Sequence, residues 1–89
     1  MIIIDKQKAE LLIVANKLLR FDYVAADLEV TRGRIAMPIK IIRDDKEEPV
    51  AIQAYDFTKK DFRQFRFEGI QKLELITIDQ AFSKTAINI

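Results

Sequence analysis

Two arginines three residues apart, Arg63 and Arg66, are the side chains best suited to hold a ligand. A guanidinium presents a planar fork of donors that matches a phosphate or a carboxylate. Both arginines stand among Phe62, Phe65 and Phe67, and an aromatic ring at the rim, Phe62 or Tyr55, offers a stacking platform for a base. Lys59 and Lys60 precede them. A second basic group, Arg32, Arg34, Lys40 and Arg43, has no acidic residue inside it. If the fold brings the two groups together, phosphates are attracted and the affinity falls steeply with salt. The formal net charge is only +1, so this reading rests on where the charges sit and not on their sum.

Each of these residues also has a plainer reading. Lys59 and Lys60 suit a solvated turn that keeps an edge strand from pairing with another chain. Arg63 and Arg66 can pair internally with Asp56, Asp61 or Glu68. Parity adds a constraint: in a regular strand Arg63 points with Phe65 and Phe67, whereas Arg66 points with Phe62 and Gln64. Without a bulge the two arginines do not reach one small ligand.

Other chemistries find less support. The chain has no cysteine and no histidine, which removes disulfides, thiolate nucleophiles, imidazole bases and zinc sites built on those ligands. A metal would have to be held by carboxylates. The acidic run in residues 43–49 lacks the glycine-spaced oxygens of a calcium loop, so no metal and no cofactor are expected. Ser83 has no activating neighbour, no glycine-rich phosphate loop is present, and no acid/base pair stands at a diagnostic spacing. The expectation is a protein that is not an enzyme.

These residues sit on elements that the pattern of the chain describes. Its 89 residues, 49% of them hydrophobic, suit one small domain over 1–89. Apolar recurrence through Ala9, Leu12, Ile13, Asn16 and Leu19 predicts a helix over about 6–20, with Asp5 as N-cap and no capping box. Strands are expected over about 21–26, 34–43, 50–57, 62–68 and 70–78, from β-branched and aromatic content broken by turn residues. The third and fourth form a hairpin around residues 58–61. Ile35, Met37, Ile39 and Ile41 recur at every second position and are expected on one face, with Pro38 marking an edge or a bend. Gly33 is the residue free to take a positive φ. Ile2 to Ile4 read as a short strand or a docking tail. The segment ending in Ile87 and Ile89 reads as a last strand or an arm toward a second subunit. The apolar start is too short for a signal peptide and nothing approaches a membrane span, so a soluble, cytoplasmic chain is expected.

The order of features resembles the WYL domain, a bacterial ligand-sensing module with an Sm-like barrel. The resemblance runs from about Ala9 to Leu75. It rests on the leading helix, the aromatic pair Phe21 and Tyr23, Pro38 in the second strand, Ala54-Tyr55-Asp56, and the run Arg63-Gln-Phe-Arg-Phe-Glu-Gly-Ile70. The chain departs from the family where Val50-Ala51-Ile52 stands in place of Trp-Tyr-Leu, and where Gly69 stands in place of an arginine. The resemblance implies a mainly β fold: one N-terminal helix capping a small, five-stranded, bent barrel. It also implies ligand contacts at Arg63 and Arg66, with Tyr55 beside them. Such domains usually follow a helix-turn-helix, for which this chain has no room, so a free-standing regulatory module is expected. Its expected ligand is single-stranded nucleic acid or a phosphorylated nucleotide, with Arg63, Arg66, Tyr55, Arg32, Arg34, Lys59 and Lys60 as the expected binding residues. The alternative is an interaction or homo-oligomeric accessory protein, with the apolar helix face or the tail meeting a host or phage partner.

Overall fold

The computed structural model describes residues 4–82. Its elements are α1 (Lys6–Val14), β1 (Leu18–Val24), β2 (Val30–Arg43), β3 (Pro49–Asp56), β4 (Asp61–Arg66), β5 (Ile70–Ile76) and α2 (Ile78–Ala81), with a 3-10 turn at Phe67–Gly69. The expected strand arm at Ile87 and Ile89 lies outside the described residues, as do Ile2, Ile3 and Ser83.

Helix α1 begins as the sequence implies, with Asp5 accepting the Lys8 backbone N–H at 2.8 Å. It stops about six residues short of the expected end. Asn16 adopts φ 55°, a left-handed conformation that ends helices and that asparagine tolerates better than most residues. The chain then turns, and Leu18, Leu19 and Arg20 begin β1 instead of extending the helix. Their apolarity suited either element. What decides is burial: Leu19 is fully buried as a strand residue on the inner face of the sheet.

The five strands form one antiparallel sheet in the order β4-β3-β2-β1-β5. Strands β1 to β4 meander, and β5 returns to the free side of β1. This places β4 and β5 at opposite edges although only Phe67–Gly69 separates them in sequence. In a flat sheet the two edges would lie about 19 Å apart at a strand spacing of about 4.8 Å. Four Cα steps span at most about 15 Å. The sheet must therefore curl until its edges approach. Across the curl the Arg66 backbone N–H, at the end of β4, donates to the hydroxyl of Tyr23 in β1 at 3.1 Å.

The curl does not become closure. Strands β4 and β5 share no ladder, which corrects the expected closed barrel to a curled, open sheet. The physical reason lies at the seam. The last β4 N–H is satisfied by a side chain, the chain winds into a 3-10 turn, and β5 carries a bulge at Lys72, whose φ is 54°. The second helix, α2, was also not expected. A capping box between Thr77 and Gln80 starts it where the sequence suggests strand up to 78.

The inner face of the curl holds the core. Phe65 packs edge-on against Phe21 and Tyr23, with ring centroids 5.0 Å away in both pairs. Leu19, Ala36, Ile52, Ala54 and Ile70 complete the layer, and Leu12 of α1 covers it. The outer face carries a second aromatic row, Phe62–Tyr55–Phe57–Phe82, with neighbouring centroids 5.1 to 5.9 Å apart. Ile35, Met37, Ile39 and Ile41 do not share a face as expected. Met37 pairs with Tyr55 on the outer face and Ile41 with Ile52 on the inner one, because Ile39 is an extra residue in a bulge beside Pro38. Proline lacks the N–H that a regular ladder needs there.

Candidate functional site

Strand β4 pairs with β3 without interruption: Ala54 faces Arg63, Ile52 faces Phe65 and Ala51 faces Arg66. No bulge rescues the parity, so Arg63 and Arg66 leave the sheet in opposite directions. They line different clefts. Arg63 borders one of about 270 Å³, and Arg66 borders another on the far side of the β1–β2 turn. Ala25, at the start of that turn, forms a wall of both. Arg66 is also engaged, since its Nη1 donates to Glu68 Oε1 in an exposed ion pair. Its guanidinium pKa is raised by the Tyr23 hydroxyl first and Glu68 second, so it stays charged.

The first cleft gathers Arg34, Lys59 and Arg63 against Asp27, Glu29 and Thr31. Lys59, Asp27 and Glu29 come from turns, Thr31 from the start of β2, and Arg34 and Arg63 from within β2 and β4. Lys59 sits in the β3–β4 turn, whose start is fixed by Asp56: its Oδ1 accepts the backbone N–H groups of Thr58 at 2.8 Å and Lys59 at 3.3 Å. Asp27 and Glu29 belong to the β1–β2 turn, where Asp27 Oδ1 accepts the Glu29 N–H at 3.0 Å. Arg63 and Lys59 make no ion pair among the described residues, and neither do Asp27 and Glu29.

Arg34 forms the floor and has a different character. It is 7% exposed, with Nη1 donating to Asp56 Oδ2 and Nε donating to Thr31 Oγ1 at 2.6 Å. Its guanidinium carbon lies 5.3 Å from the Phe65 ring centroid and 6.0 Å from that of Tyr23. This is a buried pair capped by aromatic faces, in which both charges are matched and hydrogen-bonded. The carboxylate that the sequence offers to Arg63 or Arg66 is thus taken by Arg34.

Of the seven residues singled out from sequence, the fold assembles Arg34, Lys59 and Arg63 in one cleft. Arg66 lies beyond the β1–β2 turn. Arg32 is exposed beside the Gly33 bulge, and Lys60 is exposed at the turn with φ 55°. Tyr55 is half-buried in the outer aromatic row, on the face opposite Arg63. Lys40 and Arg43 border a separate apolar furrow with Ile13, Val14, Ile39 and Ile41. Sequence reasoning missed the carboxylates Asp27 and Glu29. Their signal was the turn they occupy, since a hairpin turn joining two strands must stand at the end of the sheet that also holds the β3–β4 turn.

The element order and the curled antiparallel sheet under a short helix define a WYL-like fold. The solved structure that carries the likeness is proteasome accessory factor B/C (PafBC) of Arthrobacter aurescens, a protein containing WYL domains, at TM-score 0.62 and 23% identity. The match covers 82% of this chain and 12% of that one, so the chain corresponds to a small part of PafBC. No family model matches the chain, and no curated protein does. Among the described residues no helix is long and apolar enough to cross a membrane.

Proposed function

We propose that the chain is a regulatory, non-catalytic module that binds a phosphate-bearing ligand, single-stranded nucleic acid or a phosphorylated nucleotide, in the cleft at the β1–β2 and β3–β4 turns. The observation that carries this reading is the convergence there of Lys59 and Arg63, two cations without an ion-pair partner among the described residues, over the fixed floor made by Arg34. An unpaired cation beside a concavity loses little on meeting an anion, whereas Arg66 would first have to leave Glu68. The WYL-like fold and the name of PafBC as an accessory factor favour a role in acting on another protein's activity. The test is titration with a labelled oligonucleotide and with mononucleotides at several salt concentrations. Two phosphate contacts on a single strand give a slope of about −1.4 in log K against log salt. Lys59→Ala with Arg63→Ala removes the binding, and Arg66→Ala leaves most of it. No binding at low salt would remove the proposal.

A second reading has its own observation. Val14, Met37, Ile39 and Ile78 are exposed along the furrow between α1, β2 and α2, which is more apolar surface than a solvated groove requires. Under this reading the chain is an assembly or accessory protein, and a strictly monomeric species in light scattering across concentrations counts against self-association.

A further inference from the structure

The charge of the cleft narrows what it can hold. Arg34 is already matched by Asp56 beneath it, which leaves two cations, Lys59 and Arg63, facing two carboxylates, Asp27 and Glu29. The walls are therefore dipolar and not net basic. A strand carrying a phosphate at every nucleotide meets repulsion as soon as it passes the carboxylates, and gains little overall. A ligand with one anionic end and hydrogen-bond donors at the other satisfies both walls, because a carboxylate only accepts and a guanidinium or ammonium only donates. The cavity volume of about 270 Å³ is just under the roughly 300 Å³ at which small-molecule sites begin, which suits one small molecule and not a strand.

We infer that the ligand of this cleft is a single nucleoside 5′-monophosphate and not a nucleic-acid strand, with its phosphate at Lys59 and Arg63 and its sugar hydroxyls or base N–H groups at Asp27 and Glu29. This rests on the reading of the cleft as a phosphate site. Asp27 has one oxygen committed to the Glu29 N–H and the other open, and the Glu29 carboxylate has no partner among the described residues, so acceptors stand ready on that wall.

The experiment compares three probes by amide chemical-shift titration at low salt: inorganic phosphate, the four ribonucleoside 5′-monophosphates, and a mixed-sequence twelve-nucleotide DNA. The protein is used as wild type, as Asp27→Asn with Glu29→Gln, and as Lys59→Ala with Arg63→Ala. At least one monophosphate is expected to bind tenfold or more tighter than phosphate and tighter than the oligonucleotide. The amide variant loses that excess while its affinity for phosphate is kept or increased. The cation-deleted variant binds none of the three. If the oligonucleotide binds tighter than every monophosphate, or the amide variant keeps wild-type nucleotide affinity, this inference falls while the phosphate site stands. If no probe binds the wild type, the phosphate site itself is overturned and the inference with it.

Discussion

At the residue scale, Arg34 is the side chain whose role the structure changes most. Its spacing in sequence placed it with Arg32, Lys40 and Arg43 as a surface cation, yet it lies inside the curl between Tyr23 and Phe65, paired with a carboxylate that is fully buried. Parity held the clue, since Arg34 and Ala36 share the inner face of β2, and Ala36 pairs with Asp56 across the ladder. What sequence alone lacked was the register that brings residues 34 and 56 together. Removing the cation leaves Asp56 buried and uncompensated, which costs about 3 to 5 kcal/mol. For a domain of this size that is a large part of a total stability of about 5 to 15 kcal/mol. Arg34→Met is thus expected to melt far below wild type or to be unfolded at 25 °C, with Arg34→Lys in between because it keeps the charge and loses the fork. Arg66→Ala, breaking an exposed pair, is expected to melt with wild type. An Arg34→Met protein as stable as wild type in thermal denaturation would show that the pair contributes nothing.

At the scale of elements, the central hairpin, the N-cap and the five strands were legible because alternation and turn residues speak locally, while the breaks were not. Asn16 ends α1, Ile39 forms a bulge and Thr77 starts α2, and each depends on a backbone conformation that apolar patterning does not encode. With only two glycines in the chain, tight turns place other residues at positive φ. The β1–β2 and β2–β3 turns are built alike: Leu28 donates to the Ala25 carbonyl and Glu47 to that of Asp44, with φ of 67° and 64°. A non-glycine residue there carries about 1 to 2 kcal/mol of strain, less what glycine loses in chain entropy. Leu28→Gly and Glu47→Gly are each expected to raise stability by about 0.5 to 1 kcal/mol in denaturant titration, and a loss at both sites would contradict the strain. Gly69 is the reverse case. A Cβ there would stand 2.5 Å from the Val24 carbonyl oxygen and 2.8 Å from Tyr23 Cε1. Backbone and a packed ring cannot both give way cheaply, so Gly69→Ala is expected to cost about 1 to 3 kcal/mol.

For the whole molecule, the open seam between β4 and β5 sets how stability is distributed. Strands β1, β2 and β3 are each paired on both sides, whereas β4 and β5 have one neighbour each, and the core rings Phe21, Tyr23 and Phe65 lie across the inner face that joins them. A strand end left unpaired invites edge association. Here β5 is interrupted by the Lys72 bulge, with Lys72 Nζ 4.0 Å from Asp22 and Arg20 bonded to Glu74 at 3.0 Å, while β4 presents Arg63 and Gln64 to solvent. These devices protect the edges without closing them. Amide exchange in native conditions reads the difference directly, because each amide opens either locally or only with global unfolding. The amides of β2 that bond within the ladder are expected to exchange at the global limit. Those of β4 and β5 that point away from their single neighbour and have no other acceptor are expected to exchange orders of magnitude faster, whereas Arg66, whose N–H is held by the Tyr23 hydroxyl, should be protected, and Tyr23→Phe should abolish that protection alone. Uniformly slow exchange along the outer edges of both β4 and β5 would mean that the two strands pair in solution and that the sheet is a closed barrel after all.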